Sequence, residues 1–308
     1  AKAANAVVIT ASYRLGILGF LNVPQLRPGG SEGDDSGNFA LLDNMAALRF
    51  IRDNVASFGG DPGNVTLSGE SAGATNLLSV MTSPMAKGLF HKAFEMSGGI
   101  SLASNLPPGT LPSLSPASVS LAQGEAILEK LLVADGTAAD ATAAKNYIAT
   151  RTPAQIAEYL RAQDGGRMLT TVVAAGLGAV GPIPDGTVIP TDPIGAIAAD
   201  QYAKVPMLSG NTRDEGKLFP TFLALSPALG GISGRLLSEE QAFSISFNYD
   251  PEAIPATKVE QWIPAAYLPI DKPGTGYNAR MEALNNYWFK PLRDSVLGAL
   301  GTQQDNVW

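Results

Sequence analysis

The chain has 308 residues, 45% of them hydrophobic and 16% charged, which is enough apolar length to bury a substantial core in one large domain or two small ones. With 21 basic against 28 acidic side chains, a formal charge of −7 and no run of like charges, it carries neither a nucleic-acid footprint nor a basic membrane patch. The absence of cysteine excludes disulfides, thiolate zinc sites and thiol nucleophiles.

In chain order, the first element is the run Ala6-Val7-Val8-Ile9-Thr10, whose apolar, β-branched composition predicts a buried parallel strand over 6–12. Residues 37–58 predict a helix with Leu41, Leu42, Met45, Leu48, Ile51 and Val55 on one face. A strand over 65–68 runs into Gly69-Glu70-Ser71-Ala72-Gly73, and a helix over 72–81 follows. This is G-x-S-x-G between a strand and a helix: glycines allow the sharp turn, and the turn pushes the Ser71 hydroxyl clear of the backbone. The helix start adds N–H groups and a positive dipole end where an oxyanion would form, so Ser71 is a candidate nucleophile. Strands over 93–97 and 205–209 complete an alternation expected of a parallel sheet with helices on both faces. Between them, residues 101–116 are rich in Pro and Ser and suit an irregular excursion, followed by helices over 117–132 and 140–163. Further helical segments are expected over 238–243 and 282–300. No apolar stretch reaches the length of a membrane span, and no signal peptide is visible. Neither a metal cluster nor a phosphate loop nor a dinucleotide fingerprint appears, so no cofactor is expected.

Ser12-Tyr13-Arg14-Leu15-Gly16, Gly37-Asn38-Phe39-Ala40-Leu41-Leu42-Asp43 and Phe58-Gly59-Gly60-Asp61-Pro62-Gly63-Asn64 stand in order before the serine motif. Phe90-His91-Lys92-Ala93-Phe94-Glu95-Met96-Ser97-Gly98, Gly181-Pro182-Ile183-Pro184-Asp185-Gly186 and Gly210-Asn211-Thr212-Arg213-Asp214-Glu215-Gly216 stand after it. Together these segments resemble the type-B carboxylesterase family, the cholinesterase-like branch of the α/β-hydrolases, densely over residues 5–100 and clearly over 180–220.

The resemblance implies an α/β-hydrolase fold, a mostly parallel sheet with helices on both faces, as a single domain over 1–308 with cap or variable segments in 101–180 and 220–308. It implies a serine carboxylester hydrolase acting on a small-molecule ester, with Ser71 as nucleophile and the Ala72 N–H as an oxyanion-hole donor. Glu215 would be the acid that orients the histidine, although the residues alone leave Asp214 open; the family motif puts a glutamate immediately before the glycine. Ser97 would hydrogen-bond that acid, and Glu70 would lie beneath the site. Arg14 and Asp43 correspond to a buried ion pair that pins a loop under a helix, a contact costly to break on one side. Aromatics such as Phe219, Phe222, Phe243, Phe247, Trp262 and Trp288 either line an apolar pocket or pack in the core.

Two family features are missing from these residues. No His-Gly-Gly occurs, and the only histidine, His91, lies twenty residues after Ser71 in a segment that the family packs away from the nucleophile. In the family the triad histidine stands about a hundred residues after the acid. The expectation is therefore a central portion of a carboxylesterase, inactive by itself, with the histidine and the His-Gly-Gly loop outside it. A non-catalytic, cholinesterase-like binding module is the alternative. The lack of cysteine suits a bacterial-type member and leaves the redox compartment open; a soluble protein, secreted or periplasmic, is the expectation for localisation. Oligomeric state and the particular ester are left open.

Overall fold

The computed structural model of the chain describes residues 1–27, 29, 31, 33–178, 180–218 and 265–308. Strands β1 (Thr66–Glu70), β2 (Lys92–Met96) and β3 (Met207–Gly210) pair in parallel in the order β1-β2-β3, with Gly69 opposite Glu95 and Glu95 opposite Ser209. Parallel neighbours need long crossovers. Helix α3 (Ala72–Thr82) supplies the first, and a helical excursion the second. Because the strands run the same way, their C-terminal ends share one edge, and Ser71, Ser97 and the residues after Gly210 all emerge there. Beyond β3, residues 306–308 add a further pairing: Met207 N donates to Asn306 O at 3.0 Å and Ser209 N to Trp308 O at 2.7 Å.

The expected strand over 6–12 does not form. Val7, Val8 and Ile9 are 41%, 66% and 43% exposed and lie outside regular structure. An extended run becomes a strand only when a neighbour takes up its N–H and C=O groups, and among the described residues no backbone bond joins 7–12 to another segment.

The helices follow their sequence signals more closely. After the short turn α1 (Gly16–Gly19), helix α2 (Phe39–Asn54) continues as a 3-10 turn to Phe58 and buries Leu41, Met45, Leu48 and Val55, with Leu42 and Ile51 at its margin. Its N-cap residue Asn38, fully buried, accepts from Ile183 N and donates to Ile183 O, each at 2.8 Å, anchoring the 181–186 segment to the helix start. Helix α4 (Ala117–Ala134) matches its prediction. The expected helix over 140–163 is instead two, α5 (Ala141–Thr150) and α6 (Pro153–Arg161). Thr152 caps the second by accepting from Gln155 N, the Gln155 side chain answers on Thr152 N, and Pro153 sits at the first helical position, a combination that starts a helix rather than continuing one. Helices α7 (Gly165–Ala174) and α8 (Pro193–Ala198) start on the caps Asp164 and Asp192.

Near the end of the chain, α9 (Tyr277–Leu284) and α10 (Lys290–Gly301) are joined by a π-helical turn, Asn285–Phe289. Pro291 explains the irregularity, since it cannot donate to the carbonyl four residues earlier. That carbonyl, Tyr287 O, accepts from Leu111 N instead, at 3.2 Å. The expected helix over 238–243 lies outside the described residues.

The apolar interior is divided. One cluster joins α2, α3, β2 and α10 around Leu41, Met45, Leu78, Met81 and Val296; another joins α4 to α7 around Ile127, Leu131, Ile156 and Val172.

Candidate active site

Ser71 is the hinge between β1 and α3. Its φ of 54° and ψ of −119° are unusual for a side chain with a Cβ, and neighbouring structure holds it there. The Ser71 N–H donates to Met96 O on β2 at 2.9 Å, and Thr75 N closes the first helical turn onto Ser71 O at 3.0 Å. Gly69 is required by close approach, because a Cβ there would lie 2.3 Å from Gly73 O. Gly73 is not: its nearest neighbour would be Tyr13 Oη at 3.9 Å, an ordinary contact, so steric need falls on only one side of the turn. Ala72 N opens helix α3 and has no partner within the helix. Ser71 and Ala72 are exposed, and Glu70 ends β1 with its side chain exposed as well.

Glu215 sits at the start of the turn that follows β3 and is only 4% exposed. The Ser97 hydroxyl donates to its Oε1, and Thr212 N donates to the same oxygen at 3.0 Å. Asp214 is instead 43% exposed and paired with Arg213 and Lys217 at the surface. Ser97, just past the end of β2, has a φ of 58° and donates its own N–H to Gly210 O at 2.8 Å, tying the ends of β2 and β3 together. Ser71 is thus bonded to the residue before Ser97, and Ser97 to Glu215.

Residues that the sequence did not single out complete this arrangement. Asn285, buried in the π-helical turn, accepts from Gly216 N at 2.6 Å and donates to Arg213 O at 3.1 Å, bracketing Glu215 on both sides. No local pattern announces that role. Glu95, 3% exposed, accepts from Gly98 N and from the Ser209 hydroxyl. Burial pushes its carboxyl above the ordinary range, Ser209 and Gly98 pull it down, and Glu215 pushes it up again. A carboxylate on the buried face of a strand, two residues from buried Ala93, was the available signal.

His91 is at the opposite end of the sheet. Its Nδ1 accepts from Val65 N at 3.2 Å, ahead of the first residue of β1. Six residues of extended chain separate that point from Ser71, about 20 Å.

Arg14 and Asp43 do pair, with Nη2 to Oδ1 at 2.7 Å and Nε to Oδ2 at 2.8 Å, and the guanidinium lies over the Phe39 ring. The pair is not buried, however, since the side chains are 50% and 28% exposed. A cleft of about 580 Å³ adjoins the Glu215 turn, bordered by Asn211, Arg213, Lys272, Glu282 and Arg293. Its lining is charged. Of the aromatics expected in a pocket or core, Trp288 stacks on Phe289 at 4.5 Å, and Phe219, Phe222, Phe243, Phe247 and Trp262 lie outside the described residues.

A parallel sheet with a serine at a strand-to-helix elbow and a buried acid at the end of a later strand is the layout of an α/β-hydrolase. Residues 1–290 match the model of the carboxylesterase family. Carboxylesterase 1C of Rattus norvegicus is 30% identical over 273 residues, 87% of this chain and 43% of the relative. Para-nitrobenzyl esterase of Bacillus subtilis is 31% identical over 84% of this chain and 49% of its own length. Fumonisin B1 esterase of Sphingopyxis macrogoltabida is 34% identical over 72% of this chain and 36% of its own. Among solved structures, the Geobacillus stearothermophilus carboxylesterase EST55 at pH 6.2 superposes with a TM-score of 0.61 at 25% identity, covering 96% of this chain and 53% of that one. The chain belongs to the carboxylesterase family. It spans less than half the length of these curated relatives. Among the described residues, no helix is long and apolar enough to cross a membrane.

Proposed function

We propose that this chain carries the nucleophile and acid of a serine carboxylester hydrolase acting on small-molecule esters, with Ser71 attacking the carbonyl and Glu215 orienting a histidine. The carrying observation is the run of bonds from Ser71 N to Met96 O, then from Ser97 Oγ to buried Glu215, which links the two groups through one strand end. Attack by Ser71 Oγ puts negative charge on the carbonyl oxygen, and the Ala72 N–H at the start of α3 is the first donor to meet it. Glu215 would hold the imidazole in the tautomer that accepts the serine proton and would stabilise the imidazolium.

The base is a histidine that these 308 residues do not contain, because His91, about 20 Å away along β1, is occupied with Val65 N. The second oxyanion contribution, a His-Gly-Gly loop, is assigned outside them too. The described residues form part of one α/β-hydrolase domain, with the segment 101–180, which carries α4 to α7, acting as a cap. Glu70 and Ser97 support the site. A non-catalytic binding module is favoured only by the missing histidine, and the intact elbow speaks against it.

The test is labelling of the gene's complete product with a fluorophosphonate, followed by peptide mapping, alongside p-nitrophenyl butyrate hydrolysis. Label is expected on Ser71 and on no other serine, with label and hydrolysis lost in Ser71→Ala and kept in His91→Ala. The 308-residue chain by itself is expected to hydrolyse the ester at close to the background rate. Robust turnover by that chain, abolished by His91→Ala, would make His91 the base and overturn the assignment.

A further inference from the structure

The mechanism above uses one of the two carboxyls buried at this edge of the sheet among the described residues. The other is Glu95, whose Oε1 accepts from Gly98 N and whose Oε2 accepts from the Ser209 hydroxyl. Gly98 directly follows Ser97, which donates to Glu215, and Ser209 directly precedes Gly210, whose carbonyl receives the Ser97 N–H. Glu95 therefore cross-links the same two strand ends that hold the acid. It also reaches the nucleophile's helix: a Cβ on Gly98 would lie 2.6 Å from Ala74 Cβ and 2.9 Å from Glu95 Oε1, so Gly98 is wedged between them. Ala74 is in the first turn after Ser71.

Around this carboxyl, β1 presents Gly69, α3 presents Ala74 and β3 presents Ser209. Among the described residues the one charged group that acts on it is Glu215, held by the neighbouring Ser97, and no cation pairs with it. Two buried carboxylates without a cation repel, and a proton on one of them relieves the repulsion. The local contacts tolerate that proton, because a serine hydroxyl accepts as readily as it donates and Ser209 can keep its bond to a protonated Oε2.

We propose that Glu95 is a positioning residue of this site and forms a proton-linked carboxyl pair with Glu215. Protonated, it cross-links the Gly98 turn to β3 without adding a negative charge beside Glu215. Ionised, it places a second negative charge there and pushes against Glu215. The catalytic consequence rests on the Ser71 and Glu215 reading; the proton linkage does not.

The experiment is a carboxyl-carbon NMR titration of the gene's complete product labelled in glutamate. One glutamate signal, absent in Glu95→Gln, is expected to titrate above the ordinary value of about 4.3. Its midpoint should fall in Glu215→Gln, which removes the facing charge, and rise in Ser209→Ala, which removes a donor to the ionised form. In parallel, the pH profile of kcat/KM for Glu95→Gln should differ from the parent's by one ionisation rather than by a uniform loss. A Glu95 signal in the ordinary range, or one that Glu215→Gln leaves unmoved, overturns the pair. If Glu95→Gln does not fold, the upward shift in Ser209→Ala assigns the signal, and its fall in Glu215→Gln decides the pair. Hydrolysis that survives Ser71→Ala would refute the functional reading while the titration still judged the carboxyl pair.

Discussion

The elbow and the acid site are built in opposite ways. Residues 64–82 hold the strand, the strained serine and the helix, so the geometry of Ser71 is set mostly by backbone within one short stretch, with one bond from outside it, to Met96 O. The acid site is gathered from afar: Ser97 and Glu215 are 118 residues apart in sequence, and Asn285 is 69 residues from the Gly216 N–H it accepts. A turn that depends on φ, ψ and the absence of a Cβ can be encoded locally, whereas a side-chain hydrogen-bond network exists only after several strand ends have been aligned.

The largest break in this comparison should come from the acid. Glu215→Gln is expected to cut kcat of the complete gene product by about 10⁴-fold, because an amide leaves the histidine in the wrong tautomer. Steady-state kinetics with p-nitrophenyl butyrate would check it. A loss under tenfold would move the acid's role elsewhere.

The elbow should respond instead in stability, and on one side only. Gly69→Ala forces a Cβ to within 2.3 Å of Gly73 O and should cost about 1–3 kcal/mol or more, since rigid backbone cannot yield as a side chain can. Gly73→Ala meets nothing closer than 3.9 Å and should be nearly neutral in the same urea titration. Equal costs for the two would show that the turn is not set by the packing described here.

The smallest effect belongs to the Arg14–Asp43 pair. Hydrogen bonds from Arg14 hold the Asp43 carboxyl below its usual range against the opposing effect of burial. Its folded-state pKa is depressed, so its contribution is present above the unfolded value of about 3.9 and is lost as pH falls through the lower folded one. With half of the Arg14 side chain exposed, Asp43→Asn should cost about 1 kcal/mol or less near neutral pH once solvent screening is counted, and nothing at the acid end. Urea midpoints across pH would show the two curves converging on acidification.

Much of the sheet and its helices was legible because period and punctuation agree with each other. Leu41, Met45, Leu48 and Val55 mark one face of α2, and the G-x-S-x-G turn follows β1 as its residues require. The failures have definite causes. Residues 6–12 look like a strand in composition, but composition cannot supply a neighbour to bond with. The division between α5 and α6 was written in Thr152, Pro153 and Gln155, a start signal that the expectation of one helix over 140–163 passed over.

By itself the sequence determined where the strand-to-helix elbow stands and what the Ser71 backbone must do, because glycine placement and the order of strand, turn and helix act over a few residues. It also carried the family resemblance that the match over residues 1–290 bears out. Only the tertiary structure decided which carboxyl is buried beside Ser97, that Asn285 brackets it, and that Glu95 lies next to it. Burial, repulsion and hydrogen-bond reach depend on distances through space, and those exist only once parallel strands have brought their C-terminal ends to a common edge.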